Sequence, residues 1–223
     1  MSKGAGTDSI RQEDGQPAYP RRILILFAHP AISRSEINRP LFESSRTVPG
    51  ITTVDLYAEY PDLDIDVERE QARLVNHDVI VFMHPLYWYS TPAILKEWQD
   101  LVLEYGFAYG KKGTALRGKI LFNAITAGGA KLAYHAEGYN HFTIRELLRP
   151  IEQTALLCGM RYLPPFALYD ARTAVEEGRV WQHVAQWEAF IVALRDDRIN
   201  LGKVVRLHNL SGSLDGILKG AEE

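Results

Sequence analysis

Two short runs in this chain, Ile23 to Ala28 (ILILFA) and Val79 to Met83 (VIVFM), are wholly apolar, and a third, Lys119 to Ile125 (KILFNAI), is nearly so. Side chains alternate faces along a strand, so such runs demand cover on both sides of a sheet. Each is followed by helical patterning. A helix is expected near residues 35 to 46, and Asp66 can cap another over Asp66 to Asn76. Ile94, Leu95, Trp98, Leu101, Val102 and Tyr105 recur at the spacing of one apolar stripe. Residues 143 to 158 form a helix that Pro150 kinks or divides. Thr52 to Leu56 adds a strand, and Arg161 to Tyr169, interrupted by Pro164 and Pro165, leads to the last one. A long helix over residues 173 to 198 carries Trp181, Val184, Trp187, Ile191 and Leu194. Strands alternating with helices predict an α/β fold: a doubly wound, five-stranded parallel sheet with helices on both faces.

Composition narrows the partners. The 223 residues include 25 basic and 28 acidic side chains, a net charge of -3, which gives no global attraction to nucleic acid or anionic membrane. Cys158 is the single cysteine, so no intramolecular disulfide can form, and a reducing, cytoplasmic setting is expected. No run approaches the roughly 18 apolar residues of a membrane span, and residues 1 to 20 lack the apolar core of a signal peptide. Those twenty residues read as a disordered tail, residues 21 to 200 as the folded domain and residues 201 to 223 as a C-terminal extension.

A sheet of this kind, flavodoxin-like in its winding, binds ligands beyond the carboxyl ends of its strands, where strand order reverses. Three loops fall on that edge: FAHPAISRSEIN (27 to 38), MHPLYWYSTP (83 to 92) and ITAGGAKLAYHAEGYNH (125 to 141). The first offers His29, Ser33, Arg34, Ser35 and Asn38 at a helix start, suited to a phosphate. No GxGxxG or GxxxxGK[ST] is present, against an ordinary dinucleotide or nucleoside-triphosphate loop. The second sets Tyr87, Trp88 and Tyr89 beside Pro85 and Leu86, a wall for something flat. The third offers Thr126, Ala127, Gly128 and Gly129, whose amides allow close approach, and then Tyr134. Together they describe a flavin mononucleotide site. Each piece also has a plainer reading. His29 could bond only to backbone, Ser33 and Ser35 could cap the helix, the aromatics could be core or dimer interface, and the glycines could form a turn. The histidines 29, 84, 135 and 141 lack metal-ligand spacing, so no metal site is expected.

The segments ILILFAHPAISRSEIN, HPLYWYSTPAILKEWQDLVLEYGFAYG, ITAGGAKLAYHAEGYN and CGMRYLPPF resemble the flavodoxin-like NAD(P)H:quinone reductase family that includes DT-diaphorase. Within it, the chain is most similar to ancillary proteins of glutathione-gated potassium-efflux antiporters. The resemblance implies a homodimer that encloses a flavin; the core lacks an evident adenine-binding extension, so FMN is favoured and FAD is the alternative. It implies that His29, Ser35 and Asn38 hold the phosphate region, that Pro85, Leu86, Tyr87, Trp88 and Tyr89 pass along the isoalloxazine, and that Thr126, Gly128 and Gly129 bond its pyrimidine edge. Tyr134 matches a family tyrosine near the substrate. The family histidine that follows it is here Asn140, and the second Thr of TTGG is Ala127.

The same resemblance implies ping-pong hydride transfer from NADPH or NADH through flavin to a quinone, with Tyr134 and Asn140 as the catalytic pair. An asparagine donates a hydrogen bond but carries no proton as imidazole does. A second implied function is that of a regulatory subunit docked on a potassium-efflux antiporter, peripheral at the inner face of the membrane. A simple electron carrier fits less well, because residues 127 to 142 would cover the flavin edge that a carrier leaves open.

Overall fold

The structure is a computed structural model describing residues 19 to 220. The tail expected over residues 1 to 20 falls almost wholly outside the described residues. Strands β1 (Ile23–Phe27), β2 (Ile51–Asp55), β3 (Val79–Pro85) and β4 (Ile120–Thr126) form a parallel sheet in the order β2-β1-β3-β4. The last position is filled by two short strands, β5 (Arg161–Tyr162) and β6 (Phe166–Leu168), each parallel to β4. The single fifth strand expected from sequence is therefore split. Pro164 and Pro165 lie at the break, where a residue without an N–H cannot continue the ladder.

The strand pattern explains the layers. Ile23, Ile25 and Phe27 point into one core, and Leu24, Leu26 and Ala28 into the other. The first core is covered by α1 (Asn38–Thr47) and α7 (Arg179–Arg195), with Trp187 Nε1 donating to Ser45 Oγ at 2.8 Å between them. After β2 comes the single turn α2 (Leu56–Glu59). The second core lies under α3 (Val67–Val75), α4 (Ala93–Val102) and the pair α5 (Ile144–Leu147) and α6 (Arg149–Leu157). Asp66 caps α3 as expected, accepting from Arg69 N at 3.0 Å. Pro150 sits in the first turn of α6, so the expected kink is a break between two helices.

Two boundaries move. The first helix begins at Asn38 rather than 35, because Ser35 turns outside it and accepts from Asn38 N at 3.0 Å. The last long helix begins at Arg179 rather than 173, after turns that end at Gly178 with φ of +68°. Beyond it, α8 (Leu201–Val204) and α9 (Leu214–Ile217) return to the first core, where Val204, Leu210 and Ile217 are buried. Asn209 covers the sheet edge: its Oδ1 accepts from Ala167 N at 2.8 Å and its Nδ2 donates to Ala167 O at 3.0 Å. Order reverses between β1 and β3, which puts a crevice at their carboxyl ends.

Candidate cofactor-binding site

At the end of β1 the chain turns sharply. His29 Nδ1 accepts from Ala31 N at 3.1 Å, and Ile32–Arg34 make one 3-10 turn before Ser35 Oγ accepts from Asn38 N at the start of α1. Asn38 then reaches across the crevice, its Nδ2 donating to Thr126 Oγ1 at 2.9 Å at the end of β4. Both side chains are buried, so this bond ties the first loop to the third. Beneath the second loop lies a buried chain of three polar groups. Tyr162 donates to Asn123 Oδ1 at 2.6 Å, Asn123 Nδ2 faces His84 Nε2 at 2.9 Å, and His84 Nδ1 faces the Pro85 carbonyl at 3.0 Å. The donors satisfy every acceptor if His84 is neutral with its proton on Nδ1. Burial holds the imidazole in that form and lowers its pKa to about 4.

These loops enclose a cavity of about 650 Å³, a size usual for a small-molecule site. His29, Ser35 and Asn38 line one side, Pro85, Leu86 and Tyr87 another, and Thr126 with Gly128 the floor. Burial lowers the His29 pKa, so the imidazole sits there as a neutral group. The fourth wall is not singled out by sequence: Ala171 and Arg172 fall in the short link between the last strand and the helix expected from residue 173, and Val175 falls in that helix. The signal available was Asp170-Ala171-Arg172-Thr173, polar and turn-prone, directly after a strand on the ligand edge. Arg34 and Arg172 face the cavity from opposite loops and form no ion pair among the described residues, while Glu36 adds one carboxylate to the lining.

Five expected residues lie outside this cavity, on an adjoining rim. Tyr87 and Ser90 form an isolated antiparallel bridge, and the two residues between them adopt positive φ, +49° at Trp88 and +62° at Tyr89. Such a turn favours Asn-Gly, so bulky aromatics there store backbone strain of about 1 to 3 kcal/mol each. Of the three aromatics expected to form a wall, Tyr87 faces the cavity, edge-on to His29 at 6.1 Å between ring centroids, while Trp88 is 93% exposed in the single chain. Tyr89 instead donates to Asn140 Oδ1 at 3.1 Å. Tyr134 packs against Gly129 and Tyr169, its pKa raised by burial and partly restored by the Gly129 amide. The rim thus brings Tyr89, Gly129, Tyr134 and Asn140 together.

The family model for a flavodoxin-like fold matches residues 21–191. The chain belongs to that family. Within it, the chain's relatives are flavodoxin-like NAD(P)H:quinone reductases and potassium-efflux ancillary proteins. The glutathione-regulated potassium-efflux system ancillary protein KefG of Serratia proteamaculans is 48% identical over 155 residues, 70% of this chain and 85% of the relative. The general stress protein 14 of Treponema denticola, solved in complex with FMN, is 38% identical with a TM-score of 0.73, covering 78% of this chain and 99% of that one. An NADPH-quinone reductase from P. pentosaceus is 34% identical with a TM-score of 0.68, covering 76% and 96%.

Proposed function

We propose that the protein binds FMN in the crevice between β1 and β3 and acts as an NAD(P)H:quinone oxidoreductase. The observation that carries this reading is the convergence of three strand-end loops on one cavity, in a chain 38% identical to a protein solved with FMN. The donor set fits a phosphorylated flavin. Arg34 and Arg172 supply unpaired positive charge for a phosphate near the start of α1, and Ser35 and His29 shape the loop beneath it. Pro85, Leu86 and Tyr87 offer apolar contact to a ring, and Thr126 with the Gly128 backbone offers polar groups at its edge. FAD is the alternative cofactor.

Bound FMN would supply two-electron hydride chemistry between a reduced nicotinamide, NADPH or NADH, and a quinone. The chain's own part is to orient the ring and to place donors where negative charge grows. Tyr134 and Asn140 are the residues assigned to that task. Tyr134 keeps its phenolic proton across the neutral range because burial raises its pKa above the ordinary value of 10.0. The test is steady-state kinetics: the purified protein loaded with FMN oxidises NADPH or NADH only when a quinone is present, with parallel lines in double-reciprocal plots.

The exposed aromatic rim supports a homodimer. Trp88, Tyr105, Leu132, Tyr139 and Phe142 are all more than half exposed, more large apolar surface than a monomer usually leaves around one site. A second reading, favoured by the 48% identity to KefG, is an ancillary subunit of a potassium-efflux antiporter held peripherally at the cytoplasmic face of the membrane. No described helix is long and apolar enough to cross a membrane, so on this reading attachment runs through the antiporter. Co-purification with a potassium-efflux antiporter tests it, and a Tyr134→Phe variant slow in turnover yet still supporting efflux separates the two roles.

A further inference from the structure

We propose that Tyr89 is a positioning residue that fixes the Asn140 carboxamide with its Nδ2 hydrogens turned toward Gly129, making a donor pair with Tyr134. The inference rests on the flavin reading of the adjoining cavity. The Tyr89 hydroxyl donates to Asn140 Oδ1 at 3.1 Å, which occupies the amide oxygen and leaves Nδ2 as the free end. That Nδ2 lies 3.6 Å from the point where a Cβ on Gly129 would sit, and the Tyr134 oxygen lies 3.4 Å from the same point. The two donors therefore converge on one spot, kept open because residue 129 has no side chain.

Tyr134 stands beside the same glycine, and burial raises its pKa, so it keeps its phenolic proton for an acceptor. The Tyr89 hydroxyl behind Asn140 polarises the carboxamide and strengthens the bond that Nδ2 gives to an anionic acceptor. The strained turn gives independent support. Tyr89 reaches Asn140 from a backbone at φ of +62°, a conformation costly for a tyrosine, and strain of this kind gathers where a side chain must be aimed. Residues 127 to 142, which include Asn140, carry the same loop that holds Gly129 and Tyr134.

Other titratable and charged groups face this cluster. Tyr169 lies with its ring 5.8 Å from Tyr134, and Asp170 adds negative charge beside it. His135 pairs with Glu137 at 3.1 Å on the exposed side of the loop, and His141 follows Asn140. Arg172 reaches to 4.0 Å from the Gly128 position, and His29 lies behind Tyr87. None of them is altered by the variants below, so the ratio of variant to native rate at each pH isolates residue 140.

The test has two arms. In the flavin-free protein, the Nδ2 proton signals of Asn140, assigned by their loss in Asn140→Ala, shift in Tyr89→Phe if the hydroxyl holds the amide. In the FMN-loaded protein, Tyr89→Phe slows flavin reduction by NADPH about tenfold, a fraction of the roughly 10²- to 10³-fold cost of deleting an oriented donor, with FMN affinity changed less than about threefold. The double variant Tyr89→Phe with Asn140→Ala is no slower than Asn140→Ala alone, because Tyr89 acts through Asn140. Asn140→Asp lowers the midpoint potential of the bound flavin, and its rate deficit deepens as pH rises through the carboxyl titration. Multiplying losses in the double variant, or Asn140 signals indifferent to Tyr89→Phe, would overturn the proposal. If the native protein takes up no FMN, the reading of the cavity falls, and the first arm still decides what Tyr89 does.

Discussion

The floor of the site and its rim are built on opposite principles. On the floor, every polar group described has a partner within the chain: Asn38 with Thr126, and Tyr162, Asn123 and His84 in line beneath Pro85. These groups are buried and need nothing from outside. The rim carries Trp88 at 93% exposure and Tyr139 at 87%, on loops with strained backbone. Its surface is apolar and open. The contrast teaches that the floor is organised before any ligand arrives, while the rim is shaped for partners it must still acquire.

The sharpest way to break this comparison is pH. His84 has a folded pKa of about 4 against an ordinary 6.5, so the unfolded chain binds the proton first as pH falls. Stability is therefore complete above about pH 6.5 and declines toward pH 4, by about 3 kcal/mol from this group alone. Urea midpoints at pH 7 and pH 4.5 should reveal the decline, and His84→Gln should remove about half of it. Most of the remainder belongs to His183, also lowered to about 4 by burial, with smaller shares from His29 and His77, which burial lowers too. Next in size is Asn38→Leu, which strands the Thr126 hydroxyl in a buried site. It should lower stability by about 2 kcal/mol and weaken FMN binding at least tenfold, read by denaturation and flavin fluorescence.

Arg172→Ala sharpens the contrast from the ligand side. It should weaken FMN about fivefold while leaving riboflavin nearly unchanged, since the exposed guanidinium recognises only the phosphate. The smallest effect belongs to the rim. Trp88→Gly relieves a positive φ and deletes an exposed ring, so the monomer should gain up to about 1 kcal/mol. Sedimentation at the same time should show the proposed homodimer dissociating. A monomer destabilised by this change would place Trp88 in the floor's class and erase the distinction.

The sheet was readable because continuous apolar runs have one structural solution, and ILILFA, VIVFM and KILFNAI became β1, β3 and β4 within a residue or two. The Asp66 cap and the Pro150 break were legible for similar local reasons. The start of α1 was misplaced because Ser35 and Glu36 look helical in pattern, and only the Ser35 bond to Asn38 shows where the turn ends. Of the site, the first loop and the Thr126 to Gly129 segment were legible from hydroxyls and glycines on a strand edge. Arg172 lies in the short link before the helix expected from residue 173, where a single arginine carries no pattern of its own. The outward exposure of Trp88 was hidden too, since sequence gives no sign that two aromatics will take φ values suited to glycine. The Tyr89 to Asn140 bond spans 51 positions, and no local pattern announces it.

The central claim is that this cavity holds FMN by its phosphate. Isothermal titration of flavin-stripped protein with FMN, with riboflavin run in parallel, tests it most directly. One FMN bound per chain, at least tenfold tighter than riboflavin, is the expected result. Flavin-stripped protein that takes up no added FMN, or binds riboflavin equally well, would contradict it.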